Sequence, residues 1–167
     1  MRARMFAMPV EAWHRLVDGQ ATMQVKVLGI VPMVNASGDV MNRSEAVTLF
    51  NDMCLLAPGT LIDQNIRWEP VDARTVRAHF THFGRTISAT LFFGDDGLLT
   101  NFVSNDRSRA SADGTSFTPL PFSTPVRDYR YFGPARLPRH GEARWLLPDG
   151  EFTYGEFDIE DVSYNVW

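Results

Sequence analysis

Apolar residues change their spacing once along this chain. From Asn42 to Gly59 (NRSEAVTLFNDMCLLAPG) they recur with a helical period: Val47, Phe50, Cys54 and Ala57 fall at i, i+3, i+7 and i+10 and make one stripe. Ala46, Leu49 and Met53 widen the stripe, which predicts a helix buried over most of its girth. Asn42 is placed to act as N-cap, with Glu45 three residues later reaching back as in a capping box. Pro58-Gly59 stops the helix. Leu55, Leu56, Leu61 and Ile62 carry the apolar run beyond that stop. The run is too short and too interrupted for a membrane span, which needs about 20 apolar residues.

Outside that stretch the period drops to two. Arg2 to Met8 reads as an opening strand broken by Pro9, and Glu11 to Gly19 as either a helical turn or a strand with an Asp18-Gly19 turn. Met23, Val25 and Val27 alternate with Thr22, Gln24 and Lys26, a half-buried strand. Leu28 to Val34 continues it, with Gly29 and Pro32 as bend or edge points, and Ala36 to Asp39 loops into the helix. Beyond the helix, Ile66 to Glu69 is a strand ended by Pro70. Val76, Ala78 and Phe80, then Ile87, Ala89, Leu91 and Phe93, mark two strands joined by a turn at His82–Arg85. Asp96-Gly97 is a hairpin turn into Leu98–Ser104.

The last third is more broken. Asn105 to Phe117 is polar and reads as a loop, and Pro119, Pro121 and Pro125 hold the chain off any central strand until Val126. Val126–Phe132 is a strand with Tyr129 and Tyr131 on one face; Glu142–Leu147 is the next, followed by a turn at Pro148-Asp149-Gly150. In the final strand apolar parity changes twice between Phe152 and Val166. A one-residue slip exchanges the faces of a strand, so bulges are expected near Gly155 and near Glu160-Asp161. The pattern as a whole predicts an α+β, mainly β fold: a curved antiparallel sheet, an open half-barrel, wrapped around one central helix. Residues 1–167 read as a single domain without internal repeats.

Composition then narrows the chemistry. A net charge of -4 argues against a nucleic-acid partner, for which a basic footprint is expected. The single Cys54 excludes an internal disulfide and reads as a small buried apolar residue. The N-terminal MRARMFAMPVEAW lacks the apolar core of a signal peptide, so the chain as written is expected to be cytoplasmic. It would be membrane-associated or exported if an upstream segment were missing. His14, His79, His82 and His140 follow no metal-ligand spacing, and no metal or cofactor is expected. Asp95-Asp96 is explained by turn chemistry. Asp106-Arg107 and Arg127-Asp128-Tyr129-Arg130 set charges beside aromatics, either as a buried ion pair at a cavity mouth or as exposed pairs of small energetic value. Trp68, Tyr129, Trp145 and Tyr154 fall on predicted strands, as core or as the lining of an apolar pocket with a few polar points.

A set of motifs carries a resemblance: DGQATMQVKVLGIVPMVNASG, NRSEAVTLF, IRWEPVD, LFFGDDGLL, Asp106-Arg107, DYRYFG, and Trp145 with PDGEFTY. Together, from about Arg2 to Val166, they resemble an uncharacterised bacterial family, a domain of unknown function. The resemblance implies no activity for any residue. Members of that family extend further upstream, with extra strands and sometimes a membrane segment, so the resemblance implies either a shorter sheet here or a truncated member, and a barrel that need not close. The element order is also similar to periplasmic lipoprotein carriers and related half-barrels, a likeness of fold alone. The expected function is non-catalytic binding of an apolar or lipid-like small molecule between helix and sheet. Phe50, Trp68, Tyr129, Trp145 and Tyr154 would line the site, with Arg107 as a charged point at the rim. One alternative is an enzyme acting on a similar ligand with Arg107 or His79 at the cavity mouth. The other is a structural or partner-binding module with no ligand. The oligomeric state is not set by these features.

Overall fold

A computed structural model describes residues 2–5, 8–27, 31–111 and 114–165, with side chains for 13, 15–24, 36–111 and 114–165. Leu28 and Gly29 at the expected bend, and Val166 in the last apolar triplet, lie outside the described residues. The fold is mainly β with one α-helix and large antiparallel sheets that do not close into a barrel.

Four strands precede the helix and form their own antiparallel sheet in sequence order: β1 (Arg2–Met5), β2 (Met8–Val17), β3 (Gln20–Val27) and β4 (Val31–Ser37). Pro9 does not break the chain into a loop; it lies within β2 opposite Arg4. The stretch that could have been helical, Glu11 to Gly19, is strand and turn. Gly19 is required there: its φ is +72°, and a Cβ would come within 2.6 Å of Phe83 Cβ in another turn.

Helix α1 (Asp39–Leu56) begins three residues before Asn42, with Gly38 in the cap position and no side-chain cap. The expected capping box is therefore not used. Asn42 sits inside the first turn, its N–H donating to Gly38 O (2.9 Å), and its side chain works across the fold instead. Asn42 Oδ1 accepts the Ala21 N–H of β3 at 2.7 Å, so a buried amide ties the helix to the first sheet. A 3-10 turn at Pro58–Ile62 follows the helix, as Pro58-Gly59 predicts.

The second sheet has seven strands in the order β13-β12-β11-β8-β7-β6-β5. They are β5 (Ile66–Asp72), β6 (Thr75–His82), β7 (Arg85–Phe93), β8 (Leu99–Ser104), β11 (Phe122–Phe132), β12 (Ala135–Leu147) and β13 (Gly150–Asp158). A two-stranded ribbon, β9 (Ser108–Ala110) with β10 (Phe117–Pro119), fills the stretch expected to be loop. Ala46, Val47, Phe50, Cys54 and Leu55 of α1 pack on the sheet face made by Ala78, Phe80, Ile87, Ala89, Leu91, Phe102, Phe122, Val126 and Trp145. A smaller apolar cluster of Ala21, Ala36 and Met41 joins the start of α1 to the first sheet.

Pro70 and Pro125, like Pro9, sit where the pattern excluded strand. Pro70 lies within β5, an edge strand, where a lost N–H costs little. Pro125 lies in β11, which is central; pairing with β12 skips Thr124 and Pro125, and the proline is accommodated at that gap. The bulge expected near Gly155 is present: Ala143 pairs with Gly155 and Arg144 with Thr153, leaving Tyr154 as the extra residue. The second expected bulge is absent because β13 ends at Asp158, before Glu160-Asp161.

Candidate functional site

Phe50 divides the space between helix and sheet. It is fully buried, stacked on Phe80 at 5.2 Å and edge-on to Phe102 at 5.9 Å. The single trough expected from the sequence is therefore filled at its middle. Two hollows remain, one toward each end of α1. Ser44 lines the first and Cys54 the second, ten residues apart, or about 15 Å along a helix axis.

The hollow at the C-terminal end has a volume of about 180 Å³ and is walled by apolar side chains. Cys54, Leu55, Pro58 and Leu61 supply the helical side; Trp68, Leu91, Leu99, Tyr129 and Pro138 supply the sheet side. Trp68 reaches it because it pairs with core-facing Ala78, so both point toward the helix. Tyr129 reaches it by a change of face. Val126 and Tyr129 both pack on the core although three residues apart, and Asp128 between them has φ +60°. Asp tolerates that left-handed conformation better than most residues. The Tyr129 hydroxyl donates to Leu99 O at 2.9 Å, which fixes the ring in the wall. Burial alone pushes the Cys54 thiol up to about 12, so it is a neutral, apolar wall group.

The hollow at the N-terminal end is larger, about 360 Å³, and differs in chemistry. Met41, Ser44 and Glu45 of α1, Met23 of β3, Arg107 to Ala110, Phe117, Trp145, Phe152 and Tyr154 surround it. Arg107 is held against one ring cluster: its guanidinium lies 4.2 Å from the Phe122 ring and 5.3 Å from Trp145, and Nη1 donates to Tyr154 Oη at 2.9 Å. Trp145 and Tyr154 stack at 5.5 Å with an interplanar angle of 21°. Trp145 pairs with Phe152, so Tyr154, two residues further along β13, lies on the same face beside it; the bulge at Tyr154 then brings Gly155 and Phe157 onto that face. Asp52, two helical turns beyond Glu45 and outside this lining, keeps an exposed side chain, yet crowding by neighbouring protein atoms and the Glu45 charge push it up to about 6, with Arg107 pulling the other way.

The family described as a family of unknown function, DUF6544, matches residues 1–157. The chain belongs to DUF6544. No curated protein and no solved structure matches it.

In this DUF6544 chain the six expected site residues do not share one cavity. Trp68 and Tyr129 belong to the apolar hollow; Arg107, Trp145 and Tyr154 belong to the other; Phe50 lines neither and separates them. Tyr131, of the same parity as Tyr129, is 73% exposed and joins no hollow. His79 faces away from the helix, because its neighbours Ala78 and Phe80 point inward, and its Nε2 lies 3.3 Å from Glu69 Oε2 on the outer face. It stands at neither mouth. Among the described residues no group of three or more His, Cys, Asp or Glu is placed to hold a metal. Among them, too, no helix is long and apolar enough to cross a membrane.

Sequence reasoning missed Arg109, Phe117 and Phe152, which lie in or beside the stretch taken for loop and hairpin. It also missed the partner of Asp106. Asp106 Oδ1 accepts from Arg43 Nη2 at 2.6 Å, and Oδ2 accepts from Ser88 N–H at 2.7 Å and Ser88 Oγ at 3.0 Å. Burial pushes this carboxyl up, but the bonds from Arg43 and Ser88 outweigh it and hold it below its ordinary value. Asp106 thus pins α1 to β7 and positions the next residue, Arg107. Ser108 N–H donating to Ser44 Oγ at 3.1 Å adds a second tie.

Proposed function

We propose that this DUF6544 chain binds an apolar or lipid-like small molecule without altering it, in the hollow between the end of α1 and the seven-stranded sheet. The observation that carries this reading is the lining: an accessible hollow beside the core with hardly any polar group in its wall. Protein interiors rarely leave such space unfilled. A dry apolar cavity of about 150 Å³ is enough to hold a benzene-sized ligand. The 180 Å³ here suits one ring or the terminal part of an acyl chain, with the rest of the molecule lying outside. An acyl chain is the first probe to try, because it is apolar along its length and its end fits a hollow of this size.

The test is titration with a fluorescent fatty-acid probe, following Trp68 indole by NMR as the local reporter. Saturable binding that shifts Trp68 is expected. Leu61→Arg, which sets a charge at the half-buried mouth, should weaken it by about tenfold or more, given the cost of placing a charge in an apolar lining. Absence of saturable binding, or binding indifferent to Leu61→Arg, overturns the reading.

A further inference from the structure

The second hollow is a separate site, and we propose that it binds a flat aromatic carboxylate. Nothing in this inference depends on the apolar hollow being occupied. Three observations carry it. Arg107 and Arg109 are two residues apart along one extended segment and both line the same wall, so their guanidiniums reach the same space. Arg107 is oriented before any ligand arrives: its guanidinium lies against the neighbouring Phe122 and Trp145 rings and Nη1 donates to Tyr154, so an acceptor would meet the remaining nitrogens of the fork. A planar fork held this way matches a carboxylate with two parallel, charge-assisted hydrogen bonds.

The aromatic half of the ligand follows from the rest of the wall. Trp145 and Tyr154 present a stacked pair, and Phe152 stands at the mouth with Arg109 5.7 Å from its ring. Trp145 is only 7% exposed, whereas Tyr154 is 43% and Phe152 46% exposed. The floor is thus buried and the mouth is open apolar surface, the arrangement that a planar ring would cover by offset stacking. A volume near 360 Å³ falls in the usual range for small-molecule sites. Charge agrees: two guanidiniums face the one carboxylate of the lining, Glu45, which has an interaction of its own.

The experiment uses the full chain and three probes: 2-naphthoate, 2-naphthylmethanol with the same ring and no charge, and acetate with the charge and no ring. The readout is the indole N–H resonance of Trp145, with Trp68 as the reporter of the other hollow. Naphthoate should shift Trp145 saturably with a Kd below about 1 mM, and both other probes should bind at least about tenfold more weakly, because each lacks one half of the recognition. Arg109→Gln, at an exposed position, should weaken naphthoate by about tenfold. Arg107→Lys, which keeps the charge and loses the fork, should do the same. Equal affinity for naphthoate and the alcohol, indifference to Arg109→Gln, or a shift at Trp68 without one at Trp145 would each overturn the proposal.

Discussion

The two hollows along α1 differ in what acts beside burial. Burial alone raises the Cys54 thiol to about 12, so it stays neutral and the wall of the C-terminal hollow stays apolar. Asp52, two residues before Cys54 with an exposed side chain that lines neither hollow, feels the charges of the other one: desolvation and Glu45 raise it to about 6, and Arg107 opposes them. The apolar hollow can select only by shape, since hardly any donor or acceptor in its lining is left to direct a ligand. The polar hollow can select by charge and orientation as well, because Arg107 is fixed by Phe122, Trp145 and Tyr154. The walls differ in origin too. Regular alternation on β5 to β8 builds most of the sheet side of the apolar hollow, with Tyr129 added by a change of face, while the polar side needs a ribbon, a bulge and two arginines from an irregular segment.

The strongest way to break this division is to remove what divides it. Phe50→Ala empties the fully buried centre between the hollows and should cost about 3–5 kcal/mol in denaturant unfolding, as expected for a core aromatic. The cost should hold at pH 7 and at pH 3 alike, because Phe50 touches no titrating group in its ring contacts with Trp68, Phe80 and Phe102. A loss under about 1 kcal/mol would mean the helix does not rest on the sheet as described.

The polar end should behave differently with pH, and Asp106 sharpens the contrast. Its folded pKa lies below the unfolded value, so its contribution is complete above about pH 4 and fades as pH falls through the folded value. Asp106→Asn weakens the bonds from Arg43 and Ser88 and should cost about 1–2 kcal/mol at pH 7. Urea melts at pH 3 should show a smaller penalty. An equal penalty at both pH values would show that the carboxylate charge contributes nothing.

These contrasts also explain which features could be read in the sequence. The apolar side was legible, since strand parity at Ala78, Phe80, Ile87, Ala89 and Leu91 is a local signal that the sheet obeys. The bulge beside Gly155 was legible for the same reason. The helix start was not: Asn42 and Glu45 imitate a capping box, but Asn42 is committed to Ala21, 21 residues away, a contact no local pattern encodes. Pro125 in a central strand and the face change at Asp128 likewise depend on neighbouring strands. One cavity was expected where there are two, because side-chain type shows that Phe50 is apolar but not that it fills the gap. The ribbon bearing Arg109 was hidden by its polarity, which a solvated loop and a charged pocket wall share.

The smallest effect should come from Asp52, and its sign is opposite. The folded pKa of about 6 exceeds the unfolded value near 3.8, so the folded state holds its proton more tightly. Ionisation therefore costs stability as pH rises from about 4 to about 6, and the full cost is present at pH 7. Asp52→Asn removes the charge at nearly constant volume and helix propensity. Because the carboxylate is partly open to water, the shift is discounted to a gain of about 0.5–1 kcal/mol at pH 7, vanishing below pH 4. Arg107 lowers the Asp52 pKa, so in an Arg107→Ala background the pKa should climb and the gain from Asp52→Asn at pH 7 should grow. A double-mutant cycle read by urea melts at pH 7 measures that coupling directly. Additive effects would mean that Arg107 and Asp52 do not sense each other, and that burial and Glu45 alone raise the Asp52 carboxyl.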